Sequence, residues 1–164
     1  MVAGPEKVEI LRIATRQVSL VEYCQASEVL QRGPVLSRLN AEQQRVLLDG
    51  GKAAAFTAGQ EILELGQGAK SPALVLSGSV SLQSGPLCEV ALVGAGDIFG
   101  LESLYPACPR LGARAREAVK LAWLDPRAVA RSLQRASLLG EYFAQLVKSW
   151  QEQVQQSSDF FERW

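Results

Sequence analysis

Histidine is absent from this chain of 164 residues. That removes imidazole acid–base catalysis, Ser/His/Asp triads and ordinary histidine-ligated zinc or iron sites. Cysteine is scarce: Cys24, Cys88 and Cys108 are widely spaced, odd in number and in no CxxC arrangement. Neither a disulfide framework nor a zinc knuckle is indicated. An excess of one charge is missing too, since 17 basic and 17 acidic residues cancel, which leaves no bulk electrostatic reason to bind nucleic acid. No apolar run approaches the roughly 18 residues of a membrane-spanning helix. The start, MVAGPEKVEILR, lacks the charge-then-apolar layout of a signal peptide, so a cytoplasmic protein is expected. The remaining composition is ordinary and globular, 48% hydrophobic and 21% charged, in a chain long enough for one domain with appended helices and too short for two full domains.

Residues 6 to 31 carry Val8, Leu11, Val18, Val21 and Leu30 at mainly helical spacing, which predicts one or two amphipathic helices broken near Gly33-Pro34. In PVLSRLNAEQQRVLL, at 34 to 48, Asn40 stands as an N-cap with Gln43 at the return position of a capping box. From Lys52 the period becomes strand-like. KAAAF, QEILEL, PALVLSG, SVSLQ, LCEVALV and two segments around 111 to 117 and 118 to 124 are short strands separated by glycine-bearing turns. Cys88 reads as a buried strand residue and Trp123 as core. Cys108 reads as a small loop residue, with an exposed thiol as the alternative. Asp125-Pro126 reads as an N-cap followed by the first helical residue.

From Ser137 to Trp164 there is no internal proline, which predicts one long helix. Leu139, Phe143, Leu146, Trp150, Gln153, Ser157, Phe160 and Trp164 recur at alternating four and three, a heptad seam with polar residues in its middle. Val147, Val154 and Phe161 form a second stripe. The pattern predicts a homodimer through this helix. The alternative is a helix that folds back on its own domain, with Gly140 as a break.

Gly59, Gly66, Gly78, Gly96 with Asp97, and Gly100 fall in order between the strands, at corners where a side chain is sterically excluded. Their order through EILELGQGAKSPALVLSGSVSL and VGAGDIFGLESLYPACPRLGARA resembles the cyclic nucleotide-binding domain family of catabolite activator proteins, kinase regulatory subunits and gated channels. The resemblance covers about 36 to 135, and PVLSRLNAEQQ is similar to the family's opening phrase, with Leu39 as its packing residue. It implies a mainly β fold with flanking α: an eight-stranded, jelly-roll-like β-roll at 36–135, an N-terminal helical extension at 1–35 and the C-terminal helix at 136–164. The lack of histidine argues against the cupins, a double-sheet fold whose metal site usually needs it.

In that family, Phe-Gly-Glu opens a short helix and Arg-Ser/Thr-Ala comes several residues later. The Glu takes the ribose 2′-hydroxyl; the Arg and backbone N–H groups take the cyclic phosphate. Here Phe99 and Gly100 match, Leu101 stands where the Glu belongs, and Glu102 comes one residue late. Arg110 is followed by Leu111-Gly112, and an alignment run backward from Arg114-Ala115 puts Pro109 at the Arg position. The candidate ligand positions are therefore Phe99, Gly100, Leu101, Glu102, Ser103, Arg110, Gly112 and Arg114. An anion would sit between the N–H groups of 100 to 103 and the Arg110 guanidinium. A lost hydrogen bond to the ribose carboxylate costs about 1.5–3 kcal/mol, roughly 10- to 150-fold in affinity. Ordinary cyclic AMP or cyclic GMP binding is not expected, and a cyclic dinucleotide is the alternative ligand.

No catalytic or metal site is expected: Glu102-Ser103 is no recognisable base and nucleophile pair. Arg114 and Arg116, two apart, share one strand face, as a solvated pair or an anion-binding patch. The chain ends at Trp164 with no helix-turn-helix, so direct DNA binding is not expected. The expected function is a stand-alone regulatory module that signals through protein contacts. The alternative is a ligand-free dimeric adaptor.

Overall fold

The computed structural model describes residues 26, 28–31 and 36–162, with side chains as far as 156. The helices expected across 6 to 25, Cys24, the break at Gly33-Pro34, and the side chains of Ser157, Phe160 and Trp164 lie outside the described residues. Eight strands form two antiparallel sheets. One runs in the order β1 (Lys52–Phe56), β8 (Val119–Trp123), β3 (Ala73–Ser77), β6 (Ile98–Phe99), and the other β2 (Glu61–Leu63), β7 (Gly112–Ala115), β4 (Ser79–Gly85), β5 (Cys88–Gly94). Mainly β with flanking α, and eight strands in a roll, are therefore as expected. The strand that the sequence pattern hides is β6. Two fully buried residues have no period to read, and only pairing of Phe99 with Ala73 and Ile98 with Leu74 makes them a strand.

Alternation sets which side chains face inward. On β4 and β7, Val80 stands opposite Ala115 and Leu82 opposite Ala113, all buried, while Ser81 stands opposite the exposed Arg114 on the other face. These residues join Leu74, Val75, Leu76, Ile98, Phe99 and Leu121 in one apolar core. Cys88 opens β5 only half-buried, because it comes just after the hairpin tip where Leu87 is 98% exposed.

The corners are glycine, as expected: Gly59, Gly66, Gly78, Gly96 and Gly100 all have positive φ. At Gly78, between β3 and β4, a Cβ would collide with the Ala118 carbonyl oxygen. No side chain fits there, whatever its backbone preference.

Among the described residues, three α-helices with given bounds dress the roll. α1 (Ala41–Leu48) begins in a capping box, in which the Asn40 side chain accepts the Gln43 N–H at 2.8 Å and Gln43 accepts the Asn40 N–H at 2.9 Å. α2 (Pro126–Arg135) is capped by Asp125, which accepts the Arg127 N–H at 3.0 Å, and packs on α1. α3 (Ser137–Glu162) runs unbroken through Gly140. Its Leu139, Phe143, Val147 and Trp150 are buried by the chain itself, with the helix lying against β5. Leu146 is half-buried and Gln153 exposed. Leu139, Phe143 and Trp150, expected in an interchain seam, are thus part of the intrachain core. The first half of the seam is the fold-back alternative. At the other end Ala26, Val29 and Leu30 are also core, and Gly96 lies against the Val29 carbonyl. Packing therefore crosses the sequence boundaries at 35 and 136.

Gly78→Ala should lower unfolding stability by more than about 1 kcal/mol, since it adds a steric clash to a left-handed φ. Urea denaturation measures it, and an unchanged midpoint would show that the corner yields.

Candidate functional site

The segment between β5 and β7 is built as a tight, self-bonded cassette. Asp97 closes the turn before β6 by accepting the Gly94 N–H at 2.8 Å, and the same turn is stitched to β3 by Gly96 N–H to Val75 O and Val75 N–H to Asp97 O. β6 then delivers the chain to Gly100, with φ of 80°, where a Cβ would lie 2.7 Å from the Ser71 oxygen. The glycine is needed because the cassette backbone rests directly on residues 69–72. Gly100 opens a single 3₁₀ turn, Leu101–Ser103, shorter than the helix expected. The Leu101 carbonyl accepts both the Leu104 and Tyr105 N–H groups, at 3.0 and 2.9 Å. Ser103 Oγ donates to the Gly100 carbonyl at 2.9 Å.

Within this frame the expected ligand positions are brought together in space but not into one open pocket. Phe99 is fully buried and meets Trp123 edge-on, with ring centroids 6.2 Å apart. Leu101, where the resemblance puts the ribose carboxylate, has no exposed surface. Gly112 is buried beneath Leu65. Arg114 is committed elsewhere: it donates to the Gly59 carbonyl at 2.8 Å and lies 3.7 Å from its cross-strand neighbour Glu61. Arg116 lies 3.7 Å from Glu89. Each of the two arginines thus has a carboxylate beside it.

Glu102 is the unusual group. Its carboxylate is largely buried, and burial pushes its pKa up; its own N–H, the Ala69 N–H and the Arg110 guanidinium pull the other way. One oxygen, Oε2, is buried without a hydrogen-bond partner. Arg110 itself is exposed and lays its stem on Gly68. Cys108, beside Glu102, is buried, and burial followed by the Glu102 charge pushes its thiol up to about 12. The alternative of an exposed reactive thiol is corrected: at neutral pH this sulfur stays protonated.

Sequence reasoning missed the link between cassette and helix. Gln151 of α3 donates from Nε2 to the Ala107 carbonyl at 2.6 Å. Tyr142 of the same helix faces Asp97, and burial, then that carboxylate, raises its pKa. Neither contact carries a local signal, because each joins residues far apart in sequence. Among the described residues no group of His, Cys, Asp and Glu could hold a metal, and no helix is long and apolar enough to cross a membrane.

No known family model and no curated protein matches this sequence. Solved structures do. A cAMP-bound PfPKA-R fragment matches with TM-score 0.71 and 14% identity, over 83% of this chain and 47% of that one. The regulatory domain of Toxoplasma gondii PKA with cAMP matches with TM-score 0.63 and 23% identity, over 77% and 50%. The Thermus thermophilus catabolite activator protein matches with TM-score 0.61 and 23% identity, over 79% and 63%. The chain has the fold of a cyclic nucleotide-binding domain, and it spans about half the length of the two kinase regulatory structures.

At the position where the resemblance puts the ribose carboxylate, Leu101 offers no hydrogen-bond acceptor and has no exposed surface, and the largely buried carboxylate of Glu102 comes one residue later. Direct restoration by Leu101→Glu would bury a second charge there.

The cost of the buried carboxylate is measurable. Because burial raises the folded pKa of Glu102 above the ordinary 4.5, its contribution to stability is fully present below the unfolded-state pKa and is lost as pH rises through the folded value. Glu102→Gln should therefore raise the urea midpoint at neutral pH. The gain should close as pH falls below the ordinary 4.5, where the carboxyl is protonated in the folded and the unfolded chain alike. A difference of equal size at both pH values would assign it to packing and not to charge.

Proposed function

We propose that this chain is a regulatory module which keeps the cyclic nucleotide-binding fold, does not bind cyclic AMP or cyclic GMP in the family's way, and signals through protein contacts. The observation that carries this reading is the pair Leu101 and Glu102. An apolar side chain fills the ribose position, and an internal carboxylate faces the N–H groups and Arg110 in place of a bound anion. The route outward is α3, joined to the cassette by Gln151. A second reading, a sensor of a larger anion such as a cyclic dinucleotide, rests on Arg110, which is exposed at the rim. It would have to displace Glu102 from the N–H groups.

The homodimer belongs to this proposal, in a form adjusted to the fold. Up to Trp150 the apolar face of α3 covers its own roll, and from 151 to 156 only Val154 is even half-buried. A second chain would therefore use Leu146, Gln153 and Val154, together with the positions Ser157, Phe160 and Trp164 that the sequence seam adds. An isolated helical extension of this length, 151 to 162, is marginal in water without such cover.

Titration calorimetry with cyclic AMP, cyclic GMP and a cyclic dinucleotide tests the ligand side. No saturable heat is expected at micromolar concentrations of the first two, and a saturable isotherm would overturn the reading. For the assembly, Leu146→Glu combined with Val154→Glu should convert dimers to monomers in light scattering with an unchanged circular dichroism spectrum. A monomeric wild type, or a double variant that stays dimeric, would refute α3 as the interface.

A further inference from the structure

The space between α1 and α2 is filled unevenly. Glu42, Gln43 and Val46 come at the three-and-four spacing of one face of α1, and Ser132, Arg135 and the C-capping Ala136 at the same spacing on α2. With the buried Leu39 these faces line a hollow of about 160 Å³. The side chains that α2 brings to it besides Arg135 are small, Ser132 and Ala136, and both are buried. The polar groups around the hollow are engaged within the chain. Asn40 and Gln43 bond each other's backbone in the capping box, and Ser132 Oγ donates to the Ala128 carbonyl at 3.0 Å. Such a hollow suits an apolar guest, since a polar one would lose its water without gaining a partner. Its size is that of a cavity of roughly 150 Å³, which holds one benzene ring.

A second hollow, about 280 Å³, shares Glu42, Val46 and Arg135 with the first and adds Arg45, Asp49 and Arg131. Its charges do not balance. Each carboxylate is held by its own arginine: Glu42 accepts from Arg45 through both oxygens, at 2.7 and 3.1 Å, and Asp49 accepts from Arg131 at 3.2 Å. The Arg45 hydrogen bond, then its charge, hold the Glu42 carboxyl below its ordinary value, and Arg135 adds in the same direction. Arg135 is the third arginine for two carboxylates. It is exposed, and among the described residues it is in no ion pair.

We propose that the two hollows form one site for a small apolar monocarboxylate, with its body between Leu39, Val46 and Ala136 and its carboxylate on the Arg135 guanidinium. An apolar pocket with one oriented charge is the usual layout of a small-molecule site. The two signs of ligand charge are not equivalent here. An amine reaches Glu42 or Asp49 only by breaking a charge-assisted bond to an arginine, whereas a carboxylate reaches Arg135 without displacing a bonded partner. Glu42 repels a carboxylate, but its charge is already met by Arg45. A neutral guest of the same shape fills the hollow and gains nothing from Arg135. The site also touches the start of α3. Ala136 donates its N–H to the Ser132 carbonyl at the end of α2 and accepts the Leu139 N–H, at 3.1 Å, in the first turn of α3. None of the residues lining either hollow belongs to the cassette.

This inference goes beyond the protein-contact reading and does not rest on it. Phenylacetate, phenethylamine and phenethyl alcohol share a ring and differ in charge. Each is titrated into the isotope-labelled full chain and followed by backbone amide shifts. Saturable shifts centred on Gln43, Val46, Ser132 and Ala136 are expected at about millimolar phenylacetate, with the amine and the alcohol weaker by about tenfold or more. Arg135→Gln, at an exposed position, should weaken phenylacetate by about tenfold and leave the alcohol unchanged. Arg116→Gln, beside β7, should leave phenylacetate unchanged. Val46→Phe, which fills the hollow, should block all three compounds, and the circular dichroism spectrum shows first that each variant is folded. No saturable shift, shifts centred elsewhere, an amine that binds as tightly as the acid, or an affinity indifferent to Arg135→Gln would each overturn the proposal.

Discussion

The whole structure depends on close approach of bare backbone at a few corners. The two sheets are short, several strands have three to five residues, and no strand is long enough to hold the roll by its own ladder. The sheets are held face to face because the chain reverses where a carbonyl oxygen fills the place of a Gly78 Cβ, and where another stands 2.7 Å from that of Gly100. These approaches bring β3 against β8 and set the cassette on residues 69–72. With them in place, Val80, Leu82, Ala113 and Ala115 close on Leu74, Phe99 and Leu121. A hydrophobic collapse without these corners would be non-directional and would not choose this register.

The same close packing explains why the cassette keeps its shape without the residues that carry ligand chemistry in this fold. Its turn is satisfied by Asp97, Ser103 and the paired bonds to Val75, all internal. Ligand recognition adds to such a frame and does not create it. Leu101 therefore costs the fold nothing and contributes a buried side chain. Glu102, displaced by one position, turns its carboxylate to the N–H groups that are left, at the expense of one unpartnered oxygen. That oxygen is the only buried side-chain atom without a partner among the described residues, which marks the cassette as the place where packing and polar satisfaction conflict most.

Most of the architecture was readable from residue order, because its determinants are local. KAAAF has the same limits as β1, and the Asn40/Gln43 and Asp125-Pro126 caps form as written. The glycine corners report backbone needs that no other residue meets. The rest was not readable for equally physical reasons. A 3,4 repeat identifies a helix face but not what covers it, so Leu139, Phe143 and Trp150 looked the same whether a second chain or the home sheet lay opposite. β6 is too short to show alternation. Glu102 meets the Ala69 N–H of an upstream loop, and Arg114 meets Glu61 and Gly59, partners visible only once β2 and β7 pair.

A sealed cassette also changes where any switching can reside. A ligand moves a two-state element only through a difference in its contacts with the two states. In this cassette the internal contacts are already made, with Gln151 bonded to Ala107 and Trp150 packed into the core. α3 is therefore packed against its own roll as far as Trp150. Beyond that residue the helix loses its support, and on the first sheet Trp123 is only half-buried. Phe99 and Gly100 connect the first sheet to α3: one reaches Trp123, and the other carries the turn on which Glu102, Ala107 and through it α3 depend.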